Sequence, residues 1–215
     1  MSMIVLDGVP GSPFVRAVQA TLEEKSLPYR LNALGPGDLR SEAHLRQHPF
    51  GRVPAFAHGD FQLYETRAIL RYLDTAFPDP ALQPTDAAEL GRMEQIMGIN
   101  DWYFFPKVAA VIVFNRIVGP AFRGITPDED AISAALPMAR TCLDELGRLL
   151  GDQPFLVGDR LSLADLLLAP QFDFLAATPE GQDLLRGTAL AGWLDRMNAR
   201  PSMQRTQRPA GLQGT

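Results

Sequence analysis

Cysteine is almost missing: the 215 residues contain one, Cys142. A single thiol excludes an internal disulfide, a Cys-x-x-Cys redox pair and a cysteine-built zinc site. Histidine is nearly as scarce. His44, His48 and His58 lie close together but lack the carboxylates and helical spacing of a metal motif, so no metal is expected. Positive charge is also in deficit, with 20 Lys+Arg against 25 Asp+Glu and a net charge of −5. Phosphate binding needs clustered basic charge, so nucleic acid is not an expected partner. No uninterrupted apolar run approaches the roughly 20 residues of a membrane span; the longest is Val108 to Phe114. The amino terminus, MSMIVLDG, enters a strand at once, with neither a basic leader nor a small-residue cleavage site. These absences predict a reduced, cytoplasmic protein that does not act at a membrane.

What is present divides by periodicity. In the first half, strand-like runs alternate with helical ones, which points to an α+β fold with a sheet flanked by helices. Met3 to Leu6 reads as a strand stopped by Pro10-Gly11, and Phe14, Val15, Val18 and Leu22 then fall at helical spacing. Pro28 to Leu34 is a second strand. Pro54 to Ala57 and Phe61 to Tyr64 frame His58-Gly59-Asp60 as a hairpin, and a helix follows from Thr66 to about Ala76. A proline-rich stretch around Phe77-Pro-Asp-Pro80 then suits a linker. The second half is helical. Val108 to Phe114 is β-branched enough to pass for a strand, but its flanks from Ala87 to Asn115 keep helical spacing and the run is assigned to a buried helix. Ala131 to Leu150, Leu163 to Ala176 and Leu190 to Ala199 complete the helices. The expected organisation is a domain over 1–78, a linker over 79–86, an all-helical domain over 87–205 and a loose tail over 206–215.

A few polar residues stand where chemistry is possible. Ser12-Pro13 opens a helix: serine is favoured as the cap and proline at the first helical position. The plain reading is a cap. The sharper one is a hydroxyl aimed at an anion held by the helix dipole. Glu65 and Thr66 open another helix, where they are either a cap or a pair that meets an amino-acid end group, the acid taking an ammonium and the hydroxyl a carboxylate. Val53-Pro54 enters a strand; a cis bond there would turn backbone groups outward toward an extended peptide ligand. Ser162-Leu-Ala-Asp165 has the spacing of a capping box and is taken as structural, as is Cys142 within an amphipathic run. Arg16 and Arg67 are open between pairing with buried carboxylates and facing solvent.

Taken in order, these stretches resemble the cytosolic glutathione transferase family. The matching segments are Ser12-Pro-Phe-Val-Arg16, His48-Pro-Phe-Gly-Arg-Val-Pro-Ala-Phe56, Tyr64-Glu-Thr-Arg-Ala-Ile69, Phe155 to Asp165, and Trp193 through Pro201. The spelling is similar to the plant phi and tau classes and their bacterial relatives. The resemblance implies a thioredoxin-like N-terminal domain with a mixed four-stranded sheet, an all-α C-terminal domain, and a homodimer. It implies glutathione as co-substrate with no further cofactor, and a small hydrophobic electrophile as second substrate, the chemistry of detoxification. By motif position, Ser12 is similar to the catalytic serine that hydrogen-bonds the glutathione sulfur. Arg40 and Arg52 fall where the glycyl carboxylate is met, Val53 and Pro54 where the cysteinyl backbone is paired, and Glu65 and Thr66 where the γ-glutamyl group is held. Phe50 falls near an aromatic that enters the partner subunit in some classes. Phe14, Tyr103 and Phe104 are the expected electrophile pocket. Alternatives are other glutathione chemistry, such as peroxide reduction, dehalogenation or isomerisation, and a non-catalytic binding module on the same fold. The serine at position 12, where thiol-exchange classes carry cysteine, makes that exchange chemistry unexpected.

Overall fold

The computed structural model describes residues 2–35 and 37–212. Strands β1 (Ile4–Gly8), β2 (Tyr29–Ala33), β3 (Ala55–His58) and β4 (Phe61–Tyr64) form one sheet in the order β2-β1-β3-β4. β1 runs parallel to β2 and antiparallel to β3, and β3 pairs antiparallel with β4. A parallel pair needs a crossover, and α1 (Pro13–Glu24) supplies it. Leu6 stands opposite Leu31 on one neighbour and Phe56 on the other. Leu6 and Phe56 share a core with Val15, Val18 and Leu22 of α1 and with Ile69, Leu70 and Leu73 of α3 (Thr66–Ala76). Between β2 and β3 lie the 3-10 turn Asp38–Arg40 and the short α2 (Glu42–Gln47).

The rest is helical: α4 (Ala87–Arg123), α5 (Glu129–Leu150), α6 (Leu163–Ala176), α7 (Pro179–Leu185), α8 (Ala189–Asn198) and α9 (Pro201–Arg205). Val108 to Phe114 is indeed helix, and Phe104, Val108 and Ile112 are buried. α4 winds with wider i→i+5 turns over Asn100–Ala109, which contains Pro106, and again over Phe114–Val118. At 37 residues α4 is long and apolar enough, by length and composition, to cross a bilayer. That differs from the expectation drawn from uninterrupted runs, because its apolar residues are interspersed rather than contiguous. In the fold its buried side lies against α5 and α6. Every residue of α6 from Leu163 to Phe172 is buried.

Charged side chains tie α1 and α3 to these helices. Arg16 is buried and donates to Asp173 of α6 at 2.5 Å and to the Thr206 carbonyl at 2.7 Å, which satisfies a charge that would otherwise be costly to bury. Arg67 pairs with Glu94 and Asp101 of α4. The expectation of a loose tail from residue 206 does not hold through Leu212: Thr206 and Leu212 are buried, and Arg208 reaches Asp173 at 2.9 Å. Residues 213–215 of that segment lie outside the described residues.

Glu24, at the end of α1, accepts from Arg200 and Ser202. Burial raises its carboxyl, but the Arg200 and Ser202 hydrogen bonds outweigh this and hold it below the ordinary carboxylate range. A carboxyl depressed by folding contributes stability above its unfolded pKa, and that stability is lost as pH falls through the folded value. Stability should therefore decline below about pH 4.3, the ordinary glutamate value. In Arg200→Met the decline over that window should be shallower in plots of thermal midpoint against pH. A uniform shift of the whole curve would show that the pair has no part in acid sensitivity.

Candidate active site

The β1–α1 turn delivers Ser12 to the amino end of α1, where the first-turn N–H groups have no intrahelical partner. Ser12 is the N-cap residue, yet its side chain makes no capping hydrogen bond. At five other helix starts the cap is used: Ser41, Asp86, Asp128, Thr178 and Thr188 each accept from a first-turn N–H. The Ser12 hydroxyl is therefore unspent on its own helix. Glu65 repeats the pattern at the head of α3, as an N-cap residue without a side-chain capping bond. Its φ of 71° lies in the left-handed region, a conformation that costs a non-glycine residue about 1–3 kcal/mol and concentrates at functional sites.

Both helix starts open onto one cleft of about 940 Å³. Ser12 and Phe14 line it from α1, Glu65 and Thr66 from α3, and Arg40, Phe50, Arg52, Val53 and Pro54 from the 3-10 turn and the segment leading into β3. The Val53–Pro54 peptide is cis. Gly51 makes this segment possible. Its φ is +58°, and a Cβ there would come within 2.8 Å of the Leu39 carbonyl and 3.1 Å of the Arg40 guanidinium. His44 of α2 fixes the same segment through a ring nitrogen 2.8 Å from the Arg52 carbonyl. Phe50 is 63% exposed at the rim.

Six lining residues were not among those expected from sequence: Leu39, His48, Pro49, Gly51, Asp101 and Phe105. His48 is buried beside Tyr64, with ring centroids 4.9 Å apart. Burial lowers its pKa against the opposing pull of the Glu65 carboxylate, which favours a neutral imidazole at pH 7. Asp101 arrives from α4, 36 residues beyond Glu65 in the chain, and only the fold brings it near. The cleft thus holds two guanidinium groups and two carboxylates around an unspent hydroxyl, suited to an extended ligand with charges of both signs.

Two expected residues are not in this cleft. Phe104 is fully buried and stacks on Phe172, centroids 4.7 Å apart. Tyr103 is half exposed under the Lys107 ammonium. Phe105 takes the place assigned to them and meets Phe14 edge-on at 4.6 Å. The stretch Asn100–Ala109 winds wider than an α-helix, and in that winding Phe105, not Tyr103 or Phe104, turns to the cleft. Past Phe105 lies an apolar cavity of about 220 Å³, reached also by Pro13, the residue after Ser12. Among the described residues, no group of three His, Cys, Asp or Glu side chains is placed to hold a metal ion. Burial pushes the Cys142 thiol up, away from nucleophilic use.

Known proteins resemble this chain over most of its length. Residues 6–81 match the model of the glutathione S-transferase N-terminal domain, and residues 129–196 that of the C-terminal domain. A glutathione S-transferase from Hyoscyamus muticus is 32% identical over 201 residues, covering 92% of this chain and 94% of that protein. The crystal structure of glutathione transferase F7 from Populus trichocarpa superposes with a TM-score of 0.86 at 27% identity, covering 94% and 97% of the two chains. The theta class glutathione S-transferase from Xanthomonas axonopodis pv. citri, solved with glutathione bound, gives a TM-score of 0.80 at 25% identity over 98% and 99%. The chain belongs to the glutathione S-transferase family.

Proposed function

We propose that the chain joins the glutathione thiolate to small apolar electrophiles, with Ser12 as the residue that keeps the sulfur ionised. The observation that carries this is the Ser12 hydroxyl, free of any capping bond and facing the cleft. In the reaction the sulfur lone pair forms a bond to the electrophilic carbon, a halide or similar group departs with its bonding electrons, and the thiol proton passes to solvent. Nothing is oxidised. Ser12 takes no proton; its O–H donates to the sulfur and disperses charge. Arg40 and Arg52 take the glycyl carboxylate, the Val53 backbone before Pro54 pairs with the cysteinyl part, and Glu65 with Thr66 takes the γ-glutamyl group. The electrophile sits against Phe14 and Phe105 and extends into the apolar cavity beyond; Tyr103 and Phe104 are withdrawn from that role.

Glu65 supplies the test of the binding mode. A hydrogen bond between charged groups contributes about 1.5–3 kcal/mol, so Glu65→Gln should weaken glutathione binding by about 10- to 100-fold, read by calorimetry. An unchanged Kd would remove Glu65 from the site. Conjugation is preferred over peroxide reduction, dehalogenation, isomerisation or a turnover-free module because the cleft keeps both an unspent hydroxyl and an apolar cavity beside it.

The wider reading is a cytoplasmic detoxification enzyme acting without metal, membrane or nucleic acid and with no cofactor beyond glutathione. Its two domains divide at 1–78 and 87–205 around a linker at 79–86. The exposed Phe50 ring supports a homodimer in which it enters the partner. A monomer in sedimentation velocity at micromolar concentration would remove that contact.

A further inference from the structure

Three buried side-chain polar atoms have no hydrogen-bond partner among the described residues: His48 Nδ1, Asn100 Oδ1 and Gln171 Oε1. Gln171 is the one with a cavity still to account for. It is 1% exposed, on α6, and it lines the 220 Å³ cavity beyond Phe105. The other walls of that cavity are apolar, among them Pro13, Phe105, Val113, Phe114 and Phe174. The Gln171 amide nitrogen reaches only the Leu167 carbonyl at 3.4 Å, beyond the usual range for such a bond. An amide with an idle acceptor is an expensive lining for an apolar space, since buried polar groups are nearly always hydrogen-bonded. A methionine or leucine would fill the same position without that cost. The cavity has room for one ring, as a cavity of about 150 Å³ suffices for benzene.

We infer that Gln171 is a specificity-determining residue: its Oε1 accepts a hydrogen bond from the electrophile, so the favoured co-substrate is a single-ring compound carrying one O–H or N–H. This rests on the assignment of the cavity to the electrophile made above. Binding such a donor satisfies the idle acceptor, whereas a ligand without one leaves the amide unpaired. Discrimination by an otherwise unpaired polar group is stronger than discrimination by fit alone.

The test compares kcat/KM for three isothiocyanates: benzyl, 3-hydroxybenzyl and 3-methoxybenzyl. The methylene insulates the reacting carbon from the ring substituent. In each case the glutathione sulfur bonds to the central carbon of N=C=S, the nitrogen takes the proton, and a dithiocarbamate forms with nothing leaving. The wild-type chain should prefer the hydroxyl over the methoxyl compound by about tenfold. In Gln171→Met that preference, read as the ratio of kcat/KM for the hydroxyl and methoxyl compounds, should fall to within twofold. Equal wild-type rates for the hydroxyl and methoxyl compounds would overturn the inference without recourse to any variant. A preference that survives in Gln171→Met would overturn it too. Failure of the wild type to turn over any of the three would remove the electrophile assignment itself, and this inference with it.

Discussion

Replacing Ser12 with alanine is expected to lower conjugation at pH 7 by about 10- to 25-fold, the loss in thiolate fraction when a shift of about two units is removed, while leaving the fold in place and changing glutathione affinity by only a few-fold. A free thiol has a pKa near 8.5, so only a few per cent is thiolate at neutrality. Lowering it by about two units takes roughly 2.7 kcal/mol of preferential stabilisation of the anion. A hydrogen bond to a charged group contributes about 1.5–3 kcal/mol, and the amino end of α1 adds about 0.3–1 kcal/mol. One donor plus one helix terminus therefore covers the requirement, and the donor carries most of it. Fold should survive because the hydroxyl caps nothing. The decisive readout is the pH profile with a chromogenic aromatic halide: in Ser12→Ala the rate should climb toward that of the parent as pH passes the ordinary thiol pKa, because base then does what the hydroxyl did. Ultraviolet difference spectra should show the thiolate band of bound glutathione near pH 7 in the parent and not in the variant. A variant with the parental profile would take Ser12 out of the chemistry.

How much of this was legible beforehand differs by the range of the forces involved. The strands, α1, α3 and the hairpin around Gly59 follow from local period and turn residues, and their observed bounds lie within two residues of those expected. Ser12, Glu65 and Thr66 were legible as helix-start residues, although sequence left capping and ligand binding as rivals. Only the folded structure shows that the side chains of Ser12 and Glu65 make no cap bond, whereas those of Ser41, Asp86, Asp128, Thr178 and Thr188 do. Tyr103 and Phe104, rather than Phe105, are what the sequence offers for the electrophile, because three aromatics in a row look alike; the winding of the stretch that contains Pro106 decides which ring meets the cleft. Asp101 carries no local signal, since it joins the cleft only after the two halves pack, and His48 is set by His44, Phe50 and Tyr64 of its own half, contacts that its position in the chain does not announce. The tail was read as loose for lack of apolar period. It is held instead by Arg208 on Asp173 and by Pro209 and Leu212 closing on Gly11, where a Cβ would meet Pro209 at 2.6 Å.

The largest stability effect should come from Asp165, far from the chemistry. Its carboxylate is fully buried and accepts four hydrogen bonds: from the Leu156 N–H at 2.8 Å, the Ser162 N–H at 2.9 Å, the Ser162 hydroxyl at 2.7 Å and the Trp193 indole at 2.8 Å. One side chain thereby fixes the approach to α6, its first turn and its contact with α8. Asp165→Ala strands four donors in a dry interior, where each unpaired group costs about 1–3 kcal/mol. The terms do not add fully, and a loss of about 3–5 kcal/mol is expected, the range for breaking a buried charged network. At about 2–4 °C per kcal/mol for a chain of this size, the thermal midpoint should fall by about 6–20 °C. Asp165→Asn, which keeps one acceptor oxygen and turns a donor toward the remaining N–H groups, should fall between alanine and the parent. The disturbance also has a route toward the cleft. Trp193 packs edge-on against Phe172, and Phe172 stacks on Phe104, the neighbour of Phe105. Electrophile turnover per folded molecule should therefore drop more than glutathione affinity does, because the glutathione residues lie on α1, α3 and the β3 approach. A midpoint shift below about 3 °C in Asp165→Ala, read by circular dichroism, would show that the four hydrogen bonds are replaceable and that α6 is held by apolar burial alone.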